Sequence, residues 1–80
     1  MPETTIELTA DMLGEEEEAE LSAWLAAHET EVAHEQPVAE VATNKTIIEV
    51  TAPVAGLLRH LVAAGEMVAS GGAIGVITHP

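Results

Sequence analysis

The chain has no cysteine, phenylalanine or tyrosine, and in 80 residues it holds one tryptophan, one lysine and one arginine. Each shortage removes a class of explanation. Without cysteine there is no disulfide staple, no thiolate zinc site and no thiol nucleophile. With Trp24 as the sole aromatic residue, the core must be filled by alanine, valine, leucine and isoleucine, and Trp24 itself reads as core or core edge rather than as a stacking platform. No apolar run approaches the roughly 20 residues that a membrane helix needs, and Met1-Pro2-Glu3 lacks the basic start of a secretory signal. The expectation is one cytoplasmic domain over residues 1–80, with no membrane partner. Asn44-Lys45-Thr46 formally matches a glycosylation acceptor and is set aside for want of a secretion signal.

Basic charge is the next scarcity. The formal charge is -12, and twelve of the fourteen acidic residues fall in positions 1–40, where there is no lysine or arginine. Such a surface repels phosphate backbones and anionic lipids, which argues against nucleic-acid binding. A basic protein partner is compatible with it. The run Glu15-Glu16-Glu17-Glu18 also serves solubility alone.

What is present is β-strand pattern and glycine. Residues 4–10 alternate apolar and polar, with Ile6, Leu8 and Ala10 set against Glu7 and Thr9, and predict a half-buried strand. Residues 11–18 predict an exposed loop. Residues 19–27 are alanine-rich and pass for a short helix on propensity alone, but an internal repeat decides otherwise. At an offset of 36, residues 21–41 match residues 57–77: Leu21 with Leu57, Leu25 with Leu61, Ala27 with Ala63, Val32 with Val68, Ala33 with Ala69, and Val38 and Val41 with Ile74 and Ile77. The second copy carries Gly56, Gly65, Gly71, Gly72 and Gly75, a density that a helix resists and β-turns require. Both copies are therefore predicted to be β. Two thin halves related by a rough twofold would pack as an all-β flattened barrel or sandwich, with Pro37 and Pro53 at strand starts or edges.

The one lysine, Lys45, lies in Ala42-Thr43-Asn44-Lys45-Thr46, between Val38-Ala39-Glu40-Val41 and Ile47-Ile48-Glu49-Val50. β-Branched residues on both sides predict a hairpin. Asparagine tolerates positive φ, so Asn44-Lys45 suits a two-residue loop with the lysine protruding. A turn lysine commonly serves only as a solvated charge. It is also the point at which group carriers such as lipoamide and biotin are attached.

Read together, Trp24-Leu25-Ala26-Ala27, Val32, the run from Gln36-Pro37-Val38 to Ala42-Thr43-Asn44-Lys45, Glu49-Val50, Ala52-Pro53-Val54-Ala55-Gly56, Gly65-Glu66-Met67-Val68, Gly71 and Ile77 resemble the lipoyl domain of 2-oxo acid dehydrogenase acyltransferases. The resemblance covers residues 6–77. It implies two four-stranded antiparallel sheets, lipoate on Lys45, and Ala42, Thr43, Asn44 and Thr46 as the recognition surface around the arm. The implied partners are a lipoate-attaching enzyme, a thiamine-dependent decarboxylase, the acyltransferase core and dihydrolipoamide dehydrogenase. The domain itself would be monomeric and without a catalytic site, residing in the mitochondrial matrix if the source is eukaryotic.

The pattern departs in places. Ala42 stands where the family has glutamate and Asn44 where it has aspartate, so two carboxylates beside the arm are missing. Glu29-Thr30 replaces the first Gly-Asp turn and Glu35 the following glycine. An unmodified interaction module of the same fold is the alternative. Biotin carriage is a further one, although biotin carriers place methionine on both sides of the lysine, where this chain has Asn44 and Thr46. His28, His34, His60 and His79 have no paired spacing that marks a metal site, and His60 occupies the place of Trp24 in the repeat.

Overall fold

A computed structural model describes residues 2–80. Eight strands run in the order β1 (Glu3–Glu7), β2 (Glu18–Trp24), β3 (Thr30–Val32), β4 (Pro37–Ala42), β5 (Ile47–Thr51), β6 (Gly56–His60), β7 (Met67–Ala69) and β8 (Ala73–Thr78), with one short helix, α1 (Ala10–Leu13), between β1 and β2. They form two four-stranded antiparallel sheets, β1-β8-β6-β3 and β5-β4-β2-β7. The all-β sandwich expected from the repeat is the observed fold. The two sheets remain separate, with no closed barrel around them.

The 36-residue offset superposes the elements. It carries β2 onto β6, β3 onto β7 and β4 onto β8, while β1 and β5 occupy equivalent edges of the two sheets. Each sheet takes two strands from each half. Period-2 alternation aims Ala19 and Leu21 of β2 into the space between the sheets, where Leu58 of β6 is also buried. In β4 and β8 the buried pairs Val38 and Val41, and Ile74 and Ile77, are three residues apart, because the ladder is irregular between Pro37 and Ala39 and again between Ala73 and Gly75. Leu8 and Val50 belong to the same aliphatic core, and no buried side-chain polar atom lacks a partner among the described residues.

The sequence reading needs correction at its N-terminal end. The strand predicted over residues 4–10 stops at Glu7, α1 takes its last residue, Ala10, and the predicted loop over 11–18 holds the rest of α1 and the first residue of β2. The cause is Thr9: its hydroxyl accepts the Met12 N–H at 3.3 Å while the Met12 sulfur accepts the Thr9 N–H, closing a capping box. Alternation continued through Leu8 to Ala10, but this cap turns the chain. Leu13, buried on α1, fastens the detour to the core.

Tight turns follow β2, β3, β6 and β7. Gly65 and Gly71 have φ of 96° and 85°, and their equivalents in the first half, Glu29 and Glu35, hold φ of 63° and 66°. The twofold imposes the same backbone path on both copies. Glu29 N–H bonds the Leu58 carbonyl and Glu35 N–H the Ala52 carbonyl, as Gly65 bonds Leu21 and Gly71 bonds Leu8. In the first half the left-handed conformation is carried by residues with a Cβ, which costs about 1 kcal/mol each.

Glu29→Gly and Glu35→Gly should each raise the urea unfolding free energy by up to about 0.5 kcal/mol, additively, since relief of strain is partly offset by the entropy that glycine adds to the unfolded chain. Leu58→Ala, at a fully buried position, should cost about 3 kcal/mol, a large share of what a domain of this size has.

Candidate functional site

The β4–β5 connection is where the two halves join. Pairing ends at Ala42↔Ile47, leaving residues 43–46 as the loop. Thr43 N–H bonds the Thr46 carbonyl at 2.8 Å. The reciprocal backbone bond is not formed. Instead the Thr43 hydroxyl accepts the Lys45 N–H at 3.2 Å and the Thr46 N–H at 3.1 Å. Neither Asn44 nor Lys45 has positive φ, so the loop expected to rest on a left-handed asparagine is built differently. It is held by a side-chain-to-backbone turn from Thr43, the mimicry available to serine and threonine at the first position of a turn.

Asn44, Lys45 and Thr46 are exposed, and Ala42 and Thr43 are half-buried. Lys45 takes part in none of the ion pairs among the described residues. The tip therefore presents a single unpaired primary amine. Where β1 starts beside the end of β8, His79 N–H bonds the Pro2 carbonyl and the His79 ring meets the Thr4 hydroxyl at 2.8 Å.

Beside the tip lies a groove of about 510 Å³. Glu15, Glu16, Glu17, Glu18 and Glu20 line it together with Ala42, Thr43, Asn44 and Met67. The register explains this setting: Glu18 and Glu20 pair with Ala69 and Met67 of β7, Glu20 also stands opposite Ala42 of β4, and the Glu17 carbonyl accepts the Ser70 N–H. The acidic run, read from sequence as a solubility device, is thus fixed against the lysine turn. Sequence reasoning missed this proximity. The available signal was the asymmetry of the halves, since ten residues connect β1 to β2 and only four connect β5 to β6.

The loss of a carboxylate at position 42 also takes on a physical setting. Glu20 stands directly across from Ala42, so the neighbouring strand supplies acid to the same patch.

Of the histidines, His60 does sit at the place equivalent to Trp24, and the two rings stack on each other with centroids 3.7 Å apart and planes 6° from parallel. Trp24 Nε1 donates to the Val62 carbonyl at 3.0 Å, and His60 Nε2 lies 2.9 Å from the Ala26 carbonyl. His28 Nδ1 accepts the His60 backbone N–H. These are structural contacts away from the lysine turn.

A family model described as "Biotin-requiring enzyme", the biotin/lipoyl attachment domain, matches residues 6–77. No curated protein matches the chain.

The cross-strand geometry sets an expectation. Ala42→Glu places two like charges in direct opposition and should lower stability by about 0.5 kcal/mol at low salt. The loss should vanish in the Glu20→Ala/Ala42→Glu double variant and shrink in 1 M salt, both read by urea titration.

Proposed function

This chain belongs to the biotin/lipoyl attachment family, and on that footing we propose that it is a lipoyl carrier domain, with lipoate joined to Lys45 and presented in turn to the active sites of a 2-oxo acid dehydrogenase complex. The family attaches its cofactor covalently to lysine, and this chain has one lysine to offer. That lysine is exposed at the tip of the loop joining the two halves and has no ion-pair partner among the described residues. This is the observation that carries the reading. Lipoate is favoured over biotin because Asn44 and Thr46, not methionines, flank Lys45.

The residues at the tip fit such a group. Lys45 supplies the nitrogen of one amide bond and a flexible four-carbon stem. At the base of that stem the Thr43 hydroxyl accepts the Lys45 and Thr46 amides. When attached, the dithiolane supplies a disulfide that accepts acyl groups and electrons. The folded body contributes no acid, base or nucleophile to that chemistry; it keeps the arm tethered, so that each encounter with a partner site occurs at high effective concentration. The partners in this reading are the lipoate-attaching enzyme, the thiamine-dependent decarboxylase, the acyltransferase core and dihydrolipoamide dehydrogenase. The acidic groove beside the turn is the surface that a basic patch on any of them would meet first.

Intact mass spectrometry tests the reading. After incubation with lipoate, ATP and a lipoate ligase, the chain should gain the mass of one lipoyl group, and the folded Lys45→Arg variant should gain none. A gain only with biotin and a biotin ligase would replace lipoate by biotin. No gain with either competent ligase would make the chain an unmodified interaction module.

A further inference from the structure

Resting on the reading that Lys45 is the acylated residue, we infer that Thr43 is the positioning residue for its modification: the threonine hydroxyl, through the backbone, sets where the amine stands. Nothing else in the loop performs this task. A two-residue connection that matched the strand twist by itself would need positive φ at its central residues, and Asn44 and Lys45 do not have it. Only one backbone bond, from Thr43 N–H to the Thr46 carbonyl, crosses the loop. The Lys45 and Thr46 amides both turn to Thr43 Oγ1, at 3.2 and 3.1 Å, and the same hydroxyl faces the Thr46 carbonyl at 3.3 Å. One oxygen atom thus organises the residue that carries the amine and the residue after it.

The anchoring of this oxygen also differs from that of the tip. Thr43 is half-buried beside the end of β4, whereas Asn44, Lys45 and Thr46 are exposed. The hydroxyl therefore connects the paired sheet, which is fixed, to the amide of a residue that is otherwise free. Attachment is an acyl transfer in which the deprotonated Lys45 Nζ adds to the carbonyl carbon of an acyl adenylate, and the tetrahedral adduct collapses to the amide. The carbonyl–phosphate bond breaks, AMP leaves with the bonding pair, and the extra proton on nitrogen passes to solvent or an enzyme base. Such a step depends on the placement of the amine relative to the body that the ligase grips.

Thr43→Val keeps the shape and removes the hydroxyl, while Thr43→Ser keeps the hydroxyl. With lipoate, ATP and a lipoate ligase, Thr43→Val should lower kcat roughly tenfold or more and leave KM for the domain within about twofold, because the gripped surface is unchanged and the amine is misplaced. Thr43→Ser should recover kcat to within about twofold. In the valine variant, hydrogen exchange should accelerate at the Lys45 and Thr46 amides and stay unchanged in β4 and β5, which separates loss of positioning from loss of fold. If Thr43→Val is modified at the wild-type kcat while the wild type is modified normally, the role of Thr43 is overturned and the carrier reading stands. If the wild type is not modified at all, the carrier reading falls and takes this inference with it.

Discussion

The structure depends on the exchange of strands between its two halves. Four of the six strand pairings, β1 with β8, β2 with β7, β3 with β6 and β4 with β5, join a strand of one half to a strand of the other. Neither half could satisfy its backbone or bury its aliphatic face alone, because each sheet is completed by strands that arrive from the other copy. This requirement explains the composition. A core assembled across a twofold takes Val38 and Val41 from one copy and their equivalents Ile74 and Ile77 from the other, with Leu21 and Leu58 beside them one position out of step in the repeat, all fully buried. Aliphatic side chains of similar size suit both copies, and large aromatic residues have no second place to fit.

The same constraint makes the lysine loop more than an appendage. Of the four pairings between halves, β4 with β5 is the one closed by a short loop, and that loop carries the amine. The register that joins the halves therefore also fixes the base of the site. Only the last step, from paired strand to exposed tip, is left to a side chain, and Thr43 takes it. The neighbouring acid is likewise held by sheet register, through Glu18 and Glu20 of β2, rather than by the residues adjacent to Lys45.

Most of the fold was legible because it is repeated. The 36-residue offset aligned apolar positions that would have been ambiguous singly, and it overruled the helical propensity of residues 19–27, of which 19–24 lie in β2 and 25–27 in the turn after it. It also placed Lys45 between the halves before any geometry was known. What escaped the sequence was local chemistry of low information content. The threonine–methionine cap that starts α1 involves a pairing that propensity does not flag. The lysine loop was read from the habits of asparagine, whereas the threonine before it does the holding. Glu29 and Glu35 were noticed as departures from a glycine pattern, and the structure shows that the backbone kept its left-handed path despite them. Tertiary pairing prevailed over local preference at both positions.

The stacked Trp24 and His60 rings lie where equivalent residues of the two halves meet. Because Trp24 is the chain's only tryptophan and no tyrosine is present, all ultraviolet emission above 300 nm originates at that seam. The domain thus contains a built-in optical gauge of whether its halves are docked: a histidine ring lies on the fluorophore when they are and leaves it when they part. Separation of the halves and unfolding can be followed at the seam without adding a label near Lys45.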